Sequence, residues 1–210
     1  MRKILSVLFL LAAWHALPAA EPDERGADYV DAMAREHAAD QPVAGAAGGD
    51  AATGVVGAEV DYGPGRGYLA RPAGTPRAGL VVIHEWWGLN DNIREMSNRL
   101  AAAGYLALAV DLYEGNVAGD PAEARTLMQA LMRDEARAGR HLGAALRWLE
   151  GEGGVAEVGS IGWCLGGAMS LRLALQMPAD LDAAVIYYGR LATEPAQLAP
   201  LRMPILGIFG

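Results

Sequence analysis

The sequence predicts an α/β protein built on a doubly wound, mostly parallel sheet. Short apolar runs at residues 80–83, 105–110, 158–161 and 183–187 read as strands covered on both faces. Segments with apolar residues at helical spacing separate them. Strands that alternate with helices in this way pair in parallel through right-handed crossovers.

Composition narrows the setting. The chain has 210 residues and 52% hydrophobic content, enough for one domain with a substantial core. Its formal charge of −8 argues against nucleic acid or an anionic membrane as a partner. With one cysteine, no intramolecular disulfide and no cysteine-based metal site can form. The glycine-rich segments follow neither a P-loop nor a dinucleotide spacing, so no cofactor is expected.

Arg2 and Lys3 precede an apolar run at residues 4–13, and small residues Ala16, Ala19 and Ala20 follow. This reads as an export signal over residues 1–20, too short to span a bilayer, and implies a periplasmic or secreted protein. A single thiol in an exported protein fits a catalytic cysteine better than a structural one. Residues 21–53 are rich in alanine, glycine and acids. They read as a flexible linker with at most a turn or two of helix near residues 29–38, and no function is placed there. The folded domain is expected over residues 54–210.

Within it, residues 55–60 and 67–70 form a hairpin around Gly63, Pro64 and Gly65, set at a sheet edge. Residues 80–83 are a central strand. Asp91 is expected to cap a helix carrying Ile93, Met96, Leu100 and Ala103 inward, ended by Gly104. Asp111 closes the strand at 105–110. Asp120, Pro121 and Glu123 supply the cap, the first-turn proline and the acid of a helix start. Leu127, Leu131, Leu142, Leu146 and Leu149 mark the inner face of one or two helices ending near Gly151. Residues 183–187 and 205–209 add the last strands.

Between the strand at 158–161 and the apolar helix at 168–177 lies Gly162-Trp163-Cys164-Leu165-Gly166-Gly167. This is a nucleophile elbow with Cys at its apex. Glycines on both sides permit a sharp turn that lifts the thiol clear of the sheet. The helix N-terminus that follows is expected to favour a thiolate and to offer N–H groups to an oxyanion. Ligands of doubly wound sheets bind outside the strands' carboxyl ends, where Glu85, Asp111, Cys164 and Tyr188 all fall.

Taken with the elbow, the strings at residues 82–90, Ile93-Arg94-Glu95, Gly104-Tyr105, Asp111-Leu112-Tyr113 and Tyr187-Tyr188-Gly189 give the chain its likeness. From about residue 55 onward it resembles the dienelactone hydrolase (carboxymethylenebutenolidase) family of α/β-hydrolases. The resemblance implies hydrolysis of a small ester or enol-lactone through an acyl-enzyme on Cys164. It implies that Glu85 helps set the thiol's protonation and that the backbone N–H groups of Trp86 and Leu165 form the oxyanion hole. Trp87, Tyr188 and Arg125 are the candidate substrate-binding residues, although Arg125 lies only near the place where a family arginine would fall.

The family's triad Asp and His follow the strand at 205–209 and the strand after it. The domain is therefore expected to be incomplete at Gly210. Of the four histidines, His15 lies in the signal and His37 in the linker as a solvated side chain. His141 sits mid-helix as a surface or satisfied residue, and His84 is the only positional candidate for a base. Two other readings stay open: a hydrolase-fold binding protein that has lost its chemistry, and a thioesterase or protease on the same scaffold. Neither the physiological substrate nor the oligomeric state can be read from the residues.

Overall fold

The computed structural model describes residues 24–43 and 54–209. The expected signal at 1–20 and the glycine-rich segment at 44–53 lie outside the described residues.

Seven strands form one sheet in the order β1-β2-β4-β3-β5-β6-β7. β1 (Val56–Asp61) and β2 (Arg66–Arg71) make the expected antiparallel edge hairpin, and β2 also runs antiparallel to β4 (Leu106–Val110). β3 (Gly79–Ile83), β5 (Val158–Trp163), β6 (Ala183–Tyr187) and β7 (Ile205–Ile208) continue the sheet in parallel. The fold is the α/β-hydrolase sheet, doubly wound and mostly parallel.

Successive side chains of a strand point to opposite faces, and the continuous apolar runs exploit this. Val81, Ile83, Leu106, Leu108 and Val110 join one core with α3 (Pro121–Arg133), α4 (Glu135–Glu150) and α5 (Leu165–Gln176). Leu80, Val82, Ala107, Ala109 and Ile161 join a second core under α2 (Asp91–Ala102). Alanines alternate with larger residues in β4, so α2 packs close on that face.

The helix starts obey local chemistry. Asp120 accepts hydrogen bonds from the Ala122 and Glu123 N–H groups, and Glu123 reaches back to the Gly119 N–H at 2.9 Å. The cap of α2 is Asn90 and not Asp91: Asn90 is extended, and its Oδ1 accepts from the Ile93 N–H at 3.1 Å. Asp91 is the first helical residue, where its charge still complements the helix dipole.

The linker expectation fails over its first part. Residues Glu24–Glu36 form α1, a helix of 13 residues. Val30 and Met33, one turn apart, are buried in the same core as Trp86, Trp87 and Cys164. Asp31 pairs with Arg125 of α3 at 2.6 Å. The sequence of α1 is polar overall, so docking on the domain stabilises it more than propensity does.

Candidate active site

The elbow is built as the glycine pattern requires. Cys164 has φ 56°, a left-handed conformation that non-glycine residues adopt only under constraint. Its own N–H donates to the Tyr187 carbonyl at 3.0 Å, and its carbonyl accepts from the Ala168 N–H of α5. A Cβ on Gly162 would collide with the Gly166 carbonyl, and one on Gly166 would collide with the Ile83 carbonyl. These two glycines let β5, α5 and the end of β3 meet at the thiol.

The loop after β3 brings its residues to the same point. The N–H groups of Leu165 and Trp86 both lie near enough to the Cys164 sulfur to favour its charged form. Glu85 stands beside the thiol with its own pKa raised by burial, and the Tyr188 hydroxyl donates toward Glu85 Oε1 at 3.4 Å. Tyr188 is half exposed and also has a positive φ, 37°, so it forms a strained rim. Trp86 and Trp87 are buried edge-to-face with centroids 5.0 Å apart. They wall the site as packed aromatics.

The electrostatics run against the expected thiolate. Burial is the largest influence on Cys164 and pushes its pKa up from 9.0 to about 12, with the Glu85 charge adding to the rise. The N–H groups of Leu165 and Trp86 oppose this and are outweighed. At neutral pH the resting group is a protonated thiol beside a carboxyl group.

Arg125 is not brought to the thiol. Its guanidinium pairs with Asp31 on the outer seam between α1 and α3. Asp111 is also occupied elsewhere, since its carboxylate accepts the Tyr113 and Gly115 N–H groups and forms the turn after β4.

Each described histidine has a local partner. Fully buried His84 accepts the Leu112 N–H at Nε2 (3.2 Å), so its Nδ1 carries the proton and donates to the Glu85 carbonyl at 2.6 Å. Burial lowers its pKa, and the neutral ring splices the Glu85 loop to the turn after β4. His141 is buried, not on the surface, and faces the Tyr62 hydroxyl at 3.3 Å. His37 pairs with Asp40 at 2.6 Å and packs its ring on Trp86, with centroids 5.6 Å apart. It is a contact of the site's wall where sequence reasoning expected a solvated tail.

Two tyrosines at the site escaped sequence reasoning. Tyr29 of α1 lies within electrostatic reach of the thiol, carries the Arg190 guanidinium over its ring at 5.4 Å, and has its pKa raised by burial. Tyr113 belongs to the same buried cluster as Cys164, Trp86 and Trp87. Tyr113 stands in a motif that the sequence already singled out. Tyr29 stands in a low-complexity segment and leaves no sequence signal.

With α1 in place, Cys164 is 4% exposed. The described site thus comprises a buried thiol on a strained turn, two converging N–H donors, a carboxyl group and an aromatic wall.

Comparisons with known proteins agree with this geometry. The family model described as the dienelactone hydrolase family matches residues 66–210. A protein of Saccharolobus solfataricus, named by inference as a carboxymethylenebutenolidase, is 31% identical and aligns over 69% of this chain and 69% of its own length. Protein usf of Aquifex pyrophilus is 35% identical, with 69% of this chain aligned to 64% of its length. The chain thus spans roughly two thirds of these relatives. Among solved structures, a dienelactone hydrolase-like promiscuous phosphotriesterase from metagenomic libraries superposes with TM-score 0.65 at 32% identity. That match covers 74% of this chain and 69% of the other. A structure from Klebsiella pneumoniae, assigned as a dienelactone hydrolase, gives 0.61 at 31% identity, covering 73% and 71%.

Proposed function

The chain belongs to the dienelactone hydrolase family, and we propose that it is an exported cysteine hydrolase that cleaves a small ester or enol-lactone. The observation that carries this reading is the convergence of the Trp86 and Leu165 N–H groups on the sulfur of Cys164. A carbonyl carbon attacked by that sulfur would place its oxygen among donors that need no rearrangement.

The steps follow from the groups present. The S–H proton passes to the Glu85 carboxylate as sulfur bonds to the carbonyl carbon, and the carbonyl electron pair moves onto oxygen, held by the two N–H groups. Collapse of this intermediate breaks the carbon–alkoxy bond. The departing oxygen takes up that proton from Glu85 and leaves as the alcohol, or stays attached as the opened end of a lactone. Water then cleaves the thioester, releasing the acid and restoring the thiol. Glu85 holds the resting thiol protonated, which protects it between turnovers. No described imidazole touches the sulfur.

Replacing Cys164 by Ala should lower turnover of p-nitrophenyl acetate by about a thousandfold or more while leaving ligand affinity intact. Brief incubation of the native protein with that ester should add an acetyl mass to the peptide containing Cys164. Persistent turnover in the variant would show that Cys164 is not the nucleophile. A second reading, a binding protein on the hydrolase fold, is favoured by the buried protonated thiol. It predicts ligand binding, no adduct and no turnover.

A further inference from the structure

The Tyr113 hydroxyl is a buried polar atom without a hydrogen-bond partner among the described residues. Tyr113 is 4% exposed and packs in one cluster with Cys164, Leu165, Trp86 and Trp87. A buried, unpartnered hydroxyl costs free energy, so a native protein that keeps one has a use for it.

The rest of the residue is held firmly. Its N–H donates to Asp111 Oδ1 at 2.9 Å, and its carbonyl accepts from Asn116 Nδ2 at 2.7 Å. Its ring lies against His84 with centroids 4.8 Å apart, and His84 is itself fixed by two hydrogen bonds to backbone. Three contacts therefore hold a residue whose hydroxyl bonds nothing among the described residues. Such a group is preorganised for something that arrives later. Burial, then the nearby charges of Cys164 and Tyr29, raise its pKa, so the hydroxyl shares its surroundings with the thiol.

We propose that Tyr113 is a substrate-binding residue whose hydroxyl donates to the alkoxy oxygen of the bound ester or lactone. This rests on the hydrolase reading above. An ester has two oxygens on its reacting carbon. The Trp86 and Leu165 N–H groups take the carbonyl oxygen, so a third donor beside the thiol is left with the alkoxy oxygen. A hydrogen bond there strengthens as the carbon–oxygen bond breaks and negative charge gathers on the leaving group.

The test is Tyr113→Phe, assayed on an alkyl ester and on the thioester of the same acid. Sulfur is a weak acceptor, so only the oxygen ester should feel the change. We expect its kcat/KM to fall by about tenfold or more, with the thioester reduced by no more than about threefold. The melting temperature should hold or rise, because the variant loses an unsatisfied buried hydroxyl and little volume. Equal losses on both substrates, or no loss on either, would overturn the assignment.

A second measurement separates this idea from the hydrolase reading. Binding of the intact alkyl ester to Cys164→Ala protein can be followed by tryptophan fluorescence and requires no turnover. Adding Tyr113→Phe should weaken binding by about tenfold. An unchanged affinity overturns the role of Tyr113, whether or not Cys164 proves to be a nucleophile.

Discussion

At the scale of single residues, the site is governed by what burial does to a thiol. Cys164 titrates at about 12 in the folded protein against an ordinary 9.0. The folded state therefore keeps this proton over a window in which the unfolded chain loses it. The thiol's contribution to stability is complete below about pH 9 and declines as pH rises toward 12. Alkylation of Cys164 by iodoacetamide should keep accelerating as pH rises through 9, and a plateau near pH 9 would contradict the assigned environment. Glu85→Gln removes one of the charges that raises the thiol's pKa. It should speed alkylation at a fixed pH by up to about tenfold, read by mass spectrometry of the labelled peptide. The positions of Cys164, Glu85, Trp86 and Leu165 around one point were legible, because the elbow and the loop after β3 are short motifs whose geometry the backbone dictates. Tyr113 was visible only as part of a motif. That its hydroxyl lacks a partner depends on residues far apart in the chain, and no local pattern records it.

At the scale of elements, the start of α3 was legible, because Asp120, Pro121 and Glu123 act within one turn of each other, whereas the break before α4 was left open. The α2 start was displaced by one residue because Asn90 and Asp91 are both competent caps, and the extended backbone of Asn90 decided between them. α1 was illegible for a different reason. Its only strongly apolar residues facing the domain are Val30 and Met33, flanked by Ala, Asp and Arg, and such a segment forms a helix through the surface it meets. That surface is α3 and the buried cluster that also holds Cys164, Trp86 and Trp87. The double variant Val30→Asp, Met33→Asp should undock α1 while leaving the sheet intact. Labelling of Cys164 by N-ethylmaleimide should then rise by about tenfold, with the melting transition of the domain retained. An unchanged labelling rate would mean that α1 does not restrict access to the thiol.

At the scale of the whole molecule, the sheet order and its two cores follow from a simple property of the strands. Each central strand is apolar on both sides, so it is stable only between two layers. That much was readable from the runs at 80–83, 105–110 and 158–161. The far end of the sheet departs from this rule. On β7 and just after it, Ile205, Leu206, Ile208 and Phe209 are 39%, 56%, 37% and 50% exposed. Among the described residues β7 has a neighbour on one side only, β6. Its other side offers a free row of N–H and C=O groups, flanked by uncovered apolar side chains on both faces. A strand with apolar side chains on both faces is suited to a place between two covering layers, as the central strands of this sheet are, so β7 has the character of an interior strand and not of a solvated rim.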